Sequence, residues 1–113
     1  MKEAELATIT RHLLKQSGLV FWRVTNGAVM HTIGKRSFMK KSEIAGFPDW
    51  AGVTPSGTFW ALELKSESGR VSPDQMQWME KLTKTHAIVG IARKPEDVLD
   101  FIEICGGKAI KLA

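Results

Sequence analysis

The sequence has one cysteine, Cys105, and no tyrosine among its 113 residues. A single cysteine excludes an intramolecular disulfide and fits a reducing compartment such as the cytoplasm. Residues 1–5 are too charged to begin a signal peptide, and no apolar run approaches the ~18 residues of a membrane helix. A glycine-rich phosphate-binding loop and a Ser or Cys nucleophile arrangement are also missing. We therefore expect no membrane partner and no covalent nucleophile.

The composition that is present is typical of a globular domain. Apolar residues make up 43% and charged residues 25% of the chain. We expect one domain over residues 1–113, with a core at about 3–103 and a short C-terminal tail at 104–113. Lysine and arginine number 16 against 12 acidic residues, a formal charge of +4, so a polyanionic partner is plausible without being required.

Apolar periodicity and breaker residues predict an α-β-β-β-α-β-α order. Gly18 is a typical helix stop, and Asn26-Gly27 is a strong turn pair. Residues 28–46 leave two alternatives open, a strand pair around Gly34 or a solvated loop. A central mixed β-sheet flanked by helices, an α/β fold, follows from this order. The predicted helices are 3–17, 72–83 and 95–103, and the predicted strands are 19–24, 49–54, 58–65 and 86–92.

The start of the second helix carries a capping signature. Ser72 is a good N-cap, and Gln75 completes a capping box with it. The spacing of Met76, Met79 and Leu82 predicts that these three side chains face inward.

Two acids are predicted to face each other across the central hairpin. A three-residue turn centred on Ser56 pairs residues whose numbers sum to about 112, so Asp49 lies opposite Glu63 unless a bulge shifts the register. Lys65 projects from the same face about 7 Å further on. Facing carboxylates repel each other and need a counter-charge. One alternative is an ordinary Asp49–Lys65 salt bridge, and the other is a hard divalent cation such as Mg²⁺.

Several ordered motifs resemble a known family. Pro48-Asp49 followed by Glu63-x-Lys65 resembles the signature of PD-(D/E)XK nucleases. The wider set resembles the virus-type replication-repair nuclease (VRR-NUC) family of the stand-alone phage and bacterial type, over about residues 3–100. That set comprises Gly46-Phe47-Pro48-Asp49, Phe59-Trp60-Ala61-Leu62-Glu63-Leu64-Lys65, Gly69-Arg70-Val71-Ser72-Pro73-Asp74-Gln75 and an opening acidic helix with the strand Val20-Phe21-Trp22-Arg23-Val24. The resemblance implies a restriction-endonuclease-like core.

The resemblance also implies roles for individual residues. Asp49, Glu63 and the main-chain carbonyl of Leu64 would hold Mg²⁺ or Mn²⁺, together with a glutamate of the first helix. Glu3 fits that glutamate better than Glu5, although both flank the apolar stripe of the helix. The catalytic set would be Asp49, Glu63, Lys65 and Gln75. Lys65 would orient or deprotonate the attacking water. Gln75 would line the site, close the capping box or do both.

The function implied by the resemblance is metal-dependent hydrolysis of DNA phosphodiesters by a structure-selective endonuclease. The stand-alone members resemble homodimeric resolvases of four-way (Holliday) junctions in DNA repair, so we expect branched DNA, a homodimer and the cytoplasm of a bacterial or phage-infected cell. The alternatives are a flap or single-strand nuclease acting as a monomer, a non-catalytic nucleic-acid-binding module of the same fold, and a structural domain whose acids pair with lysines. The basic residues expected to contact DNA phosphates are Arg23, Lys35, Arg36, Lys40, Lys41 and Arg70.

Overall fold

Three helices and six strands form along residues 1–25, 29–40 and 43–110, the part of the chain that the computed structural model describes. Their order confirms the predicted sequence of elements, and the ambiguous segment forms a strand pair around Gly34. The predicted Asn26-Gly27 turn and Lys41 lie outside the described residues. The elements are α1 (Glu3–Ser17), β1 (Val20–Arg23), β2 (Val29–Ile33), β3 (Arg36–Lys40), β4 (Trp50–Val53), β5 (Phe59–Leu64), α2 (Pro73–Thr83), β6 (Ile88–Ala92) and α3 (Pro95–Ile104).

The central sheet has four strands in the order β1-β4-β5-β6. β1, β4 and β5 pair antiparallel, whereas β6 runs parallel to β5. A parallel neighbour requires a crossover connection, and α2 supplies it between β5 and β6. The predicted mixed sheet flanked by helices is therefore confirmed.

The main core lies between one face of the sheet and the helices α1 and α3. Trp50 and Trp60 are fully buried on this face, and the Trp60 ring lies 5.7 Å from the ring of Phe101 in α3. Leu6 and Leu14 of α1 complete the contact and are also fully buried. Alternation along β5 sends Phe59 and Glu63 to the opposite face, where α2 lies.

Local signals set the helix boundaries as predicted. Gly18 ends α1 with a φ of 76°, a left-handed conformation that glycine adopts without strain. Ser72 caps α2, and the reciprocal bonds of the capping box with Gln75 are both present.

The predicted inward face of α2 is wrong at Met76, whereas Met79 and Leu82 are half-buried. No residue of this helix is buried, and Met76 is 58% exposed. The contact is made instead by Trp78, whose ring lies 5.0 Å from that of Phe47 and whose Nε1 donates to the carbonyl of Ala45 at 3.1 Å. The helix packs on the segment before β4 as well as on β6 of the sheet, and its apolar stripe is only partly covered.

The β2–β3 hairpin projects from the rest of the molecule. The described strands pair with each other, and the molecule is elongated at 53 × 31 × 24 Å. Its radius of gyration is 15.5 Å, whereas about 13 Å is typical of a compact domain of this length. Ile33 and Phe38 of this hairpin are exposed.

The last described residues lie against the body of the protein. Cys105 is buried, and the N–H of Lys108 donates to the carbonyl of Ser17 at 2.9 Å. Ala109 and Ile110 pack on the core, so the part of the predicted tail that is described is not detached from the protein. In the described residues, the helices are all too short or too polar to cross a bilayer.

Candidate metal centre

The hairpin of β4 and β5 brings Asp49 to Glu63. The observed pairs, from Trp50 with Leu62 to Val53 with Phe59, follow the predicted register without a bulge. Asp49 directly precedes β4, and its Oδ2 accepts a hydrogen bond of 2.9 Å from the N–H of Leu64. Its carbonyl accepts from the N–H of Val24 at 2.8 Å, so Asp49 is held from both sides.

Glu3 joins these two acids from the first turn of α1. Glu3, Asp49 and Glu63 each offer a carboxylate oxygen, and these oxygens lie within 4.8 Å of one another. Glu3 is exposed and Asp49 is half-buried, whereas Glu63 is buried with 2% of its surface exposed. In the described part of the chain, this acidic cluster does not include Glu5. The docking of α1 thus favours Glu3, the residue that the sequence preferred.

The environment of Glu63 disfavours its charged form. Burial is the largest cause, followed by the hydrogen bond and charge of Asp49, while Glu3 adds a small further effect. Lys65 opposes these effects, but the pKa of Glu63 is still raised from 4.5 to about 9. Without a cation, the carboxyl therefore keeps its proton at neutral pH. A hard divalent cation with oxygen ligands would supply the missing positive charge, so the donor set fits Mg²⁺ or Mn²⁺.

The Asp49–Lys65 salt bridge, the alternative that the sequence left open, is not formed. Among the described residues, no nitrogen–oxygen pair of Asp49 and Lys65 lies within 4.0 Å. Asp49 uses the backbone N–H of Leu64 instead.

Gln75 makes both of the contacts that the sequence left open. Its Nε2 donates to Oε1 of Glu63 at 3.3 Å. Its Oε1 accepts from the N–H of Ser72 at 2.8 Å, and its own N–H donates to Oγ of Ser72 at 3.2 Å. One side chain therefore closes the capping box of α2 and ties the first turn of that helix to the acidic cluster.

The loop that follows Lys65 at the end of β5 is held by Arg93, whose role sequence reasoning missed. Arg93 donates from Nη1 to the carbonyls of Ser66 and Gly69 at 2.8 and 2.7 Å, with a longer contact of 3.4 Å to Glu67. Gly69 faces Lys65 closely, since a Cβ there would lie 3.5 Å from Cδ of Lys65. The sequence signal that could have indicated this contact is the position of Arg93, which directly follows the apolar strand that pairs with β5.

An open cleft of about 330 Å³ borders the acidic cluster. Its wall includes Leu64, whose main-chain carbonyl is a metal ligand according to the family resemblance. Small side chains of α1 keep the cleft accessible. The lining residues are Glu3, Ala4, Ala7, Arg23, Asp49, Trp50 and Leu64.

The basic residues predicted to bind DNA divide into two groups. Arg23 lines the cleft, and Arg70 is exposed in the connection from β5 to α2. Lys35 and Arg36 are exposed on the projecting hairpin, away from the sheet. The side chain of Lys40 lies outside the described residues, as does Lys41.

The mixed sheet, with Pro48-Asp49 and Glu63-x-Lys65 on one hairpin beside an acid of the first helix, defines a nuclease of the PD-(D/E)XK class. The chain matches the VRR-NUC domain family over residues 1–94 and belongs to this family, which confirms the resemblance seen in the sequence. A solved structure described as a VRR_NUC domain aligns with a TM-score of 0.64 at 21% identity, covering 91% of this chain and 96% of that chain. That likeness shows the shared fold. No curated protein matches the sequence. Family membership makes the chain a nuclease domain whose partner is DNA.

Gly46 sets the approach of α2 to the acidic hairpin, and Gly46→Ala is expected to destabilise the protein by about 2–4 kcal/mol. Its φ is 84°, and a Cβ would lie 2.6 Å from the main-chain carbon and the Cβ of Asp74. Denaturant unfolding measures the loss. Gly57→Ala is the matched control because φ is 89° there with nothing within 4 Å of the added Cβ. Equal losses in the two variants would show that the contact with α2 is unimportant.

Proposed function

We propose that this nuclease domain is a divalent-metal-dependent endodeoxyribonuclease selective for branched DNA, acting as a homodimeric four-way junction resolvase. The observation that carries the proposal is the convergence of three carboxylate oxygens within 4.8 Å. Such a cluster of carboxylate oxygens in a nuclease domain fits the binding of Mg²⁺ or Mn²⁺. Lys65 is close enough to lower the pKa of Glu63, and an open cleft borders Glu3 and Asp49, so a phosphodiester has access to the cluster.

Each residue of the site has a task in this proposal. Glu3, Asp49, Glu63 and the Leu64 carbonyl would hold the ion, which when bound polarises a phosphate oxygen and lowers the pKa of a water. Lys65 orients that water for in-line attack on phosphorus and offsets the negative charge of the transition state. The new phosphorus–oxygen bond replaces the bond to the 3′ oxygen, which leaves as a hydroxyl after taking up a proton. The products are a 5′-phosphate and a 3′-hydroxyl.

Exposed apolar side chains support the proposed dimer. Val20 and Trp22 are exposed on β1, which is an edge strand of the four-stranded sheet. Ile33 and Phe38 are exposed on the projecting hairpin. A surface of this kind is typical of an interface. A two-fold dimer would present two acidic clusters to the two-fold symmetric strands of a junction, so paired cuts follow from the symmetry.

A cleavage assay on a panel of DNA structures tests the proposal. In Mg²⁺ or Mn²⁺, we expect a mobile four-way junction to be cut at least about tenfold faster than linear duplex, a difference of about 1.4 kcal/mol in barrier height. We expect no cleavage in EDTA. Asp49→Asn should lose activity because it removes one anionic ligand. Asp100→Asn should keep full activity, because Asp100 is an exposed acid of α3 outside the site.

The alternatives predict different results from the same panel. Equal rates on junction and duplex would contradict the resolvase. Faster cutting of flaps or single strands by a 12.6 kDa monomer, with the mass measured by light scattering, would identify the monomeric nuclease instead. Binding without cleavage in either metal would identify a non-catalytic module.

A further inference from the structure

Two arginines from different elements meet on one tryptophan beside the cleft. The guanidinium carbon of Arg11 in α1 lies 5.1 Å from the ring centroid of Trp50. That of Arg23 at the end of β1 lies 5.7 Å from the same ring. Trp50 itself is 1% exposed, so its ring is a fixed support for both cations. Arg11 was not among the basic residues that the sequence singled out.

Neither guanidinium is neutralised by the protein. Across residues 1–25, 29–40 and 43–110, neither Arg11 nor Arg23 forms an ion pair with a carboxylate. Contact with an indole face attracts a cation and uses none of its N–H donors. Both side chains are therefore held in place with their hydrogen-bond donors available, and their like charges repel each other. An anion between them would relieve the repulsion.

Arg23 lies on the wall of the same cleft as Glu3 and Asp49 of the acidic cluster, and Arg11 meets it on Trp50. Glu3, Ala4 and Ala7 of α1 line the cleft, and Arg11 follows Ala7 by one helical turn on the same side of the helix. Arg23 and Trp50 line it from the sheet. Glu3 therefore lies at the start of α1, and Arg11 follows it about two turns along the same helix, where it meets Arg23 on Trp50.

We propose that Arg11 and Arg23, supported by Trp50, form a binding subsite for a phosphodiester of the bound strand next to the one held at the acidic cluster. Arginine suits this task because its planar fork stacks on an aromatic face while its edge donates two parallel hydrogen bonds to phosphate oxygens. The two small alanines between the subsites leave room for the sugar that joins neighbouring phosphates. The subsite extends the proposed nuclease function by fixing the direction in which the strand runs, along α1 from the acids towards Arg11.

DNA binding without turnover tests the subsite. We would titrate a fluorescently labelled four-way junction with the full-length protein in Ca²⁺ and measure anisotropy between 50 and 200 mM salt. Arg11→Gln is expected to weaken binding about tenfold, since it removes charge-assisted hydrogen bonds to a phosphate. It should also reduce the slope of log K against log salt by about one. Arg11→Lys keeps the charge but loses the stacked guanidinium. Its affinity for the junction should lie between that of the wild type and that of Arg11→Gln.

Lys15→Gln is the matched control, because it removes one positive charge from an exposed position one turn further along α1. We expect it to weaken binding no more than about twofold, as an unspecific surface charge does. Equal losses in Arg11→Gln and Lys15→Gln would overturn the subsite, as would an Arg11→Lys protein that binds like the wild type. Thermal unfolding of each variant checks that the fold is kept.

The subsite and the nuclease function can fail separately. A protein that binds with the expected dependence on Arg11 but cleaves no DNA in Mg²⁺ or Mn²⁺ would support the subsite and contradict the proposed reaction. Efficient cleavage together with binding that is insensitive to Arg11 would overturn the subsite alone.

Discussion

Lys65→Ala is expected to slow single-turnover DNA cleavage by about 10²–10³-fold, because a positioned group that stabilises developing charge contributes about that much. Lys65 is half-buried directly after β5, and its N–H donates to the carbonyl of Ala92 at 3.0 Å. The main chain is therefore held by the parallel strand, and the substitution removes the side chain without moving the acids. Binding of the same DNA in Ca²⁺ should change by no more than about threefold, since one phosphate contact among many is lost.

One further variant tests whether the charge of Lys65 is sufficient for activity, and a second serves as a control at a distant lysine. Lys65→Arg keeps the charge but not the compact ammonium, so activity should recover only in part. Lys84→Ala removes an exposed lysine that pairs with Glu80 at 3.4 Å, and it should leave the rate unchanged. Full activity of Lys65→Ala would show that the assigned role is wrong. So would a loss of binding as large as the loss of rate.

The metal-free protein is expected to lose stability as the pH rises, and Glu63 is the cause. The pKa of Glu63 is raised from 4.5 to about 9 in the folded state, mainly by burial. The stabilising effect of this group is therefore fully present below about pH 4.5 and is lost progressively as the pH rises through about 9. Above neutral pH, folding must either keep the carboxyl protonated or bury its charge.

Thermal unfolding in EDTA from pH 5 to pH 9 measures this effect. Glu63→Gln keeps the shape and the capacity to accept a hydrogen bond from Gln75, but it cannot ionise. At pH 8 without metal, we expect the variant to melt at least about 5 °C above the wild type, since 1 kcal/mol shifts the melting temperature of a domain of this size by about 4–8 °C. Near pH 5, the two proteins should differ little.

At pH 8, divalent metal should raise the melting temperature of the wild type above that of Glu63→Gln. Mg²⁺ or Mn²⁺ in excess stabilises the wild type by binding only the folded state, whereas Glu63→Gln lacks an anionic ligand and should gain much less. Glu103→Gln, an exposed acid near the end of α3, serves as the control and should follow the wild type throughout. A metal-free wild type as stable at pH 8 as Glu63→Gln would contradict the assigned cost of burying this carboxylate.

Local interactions explain the parts of the site that could be predicted from the sequence. The turn of three residues around Ser56 imposes the register that sets Asp49 opposite Glu63. The reciprocal bonds of Ser72 and Gln75 lie within one helical turn. These features depend on residues a few positions apart or joined by a tight turn, so spacing alone determines them.

The helix α2 shows where periodicity stops being informative. A stripe of apolar residues predicts that one face turns towards the protein, but it does not say how much surface lies beneath. The helix packs through Trp78 on the segment before β4, and Met76 remains exposed.

The sequence by itself therefore determined the order of the elements, the hairpin register, the helix caps and the pairing of two facing acids. Only the tertiary structure decided which glutamate of α1 joins them, because both candidates flank the apolar stripe and the choice depends on how the helix docks. It also revealed Arg11 on Trp50 and Arg93 on the turn after Lys65. These contacts join residues more than twenty positions apart. They depend on how the helices and strands pack, so the spacing of residues along the sequence does not predict them.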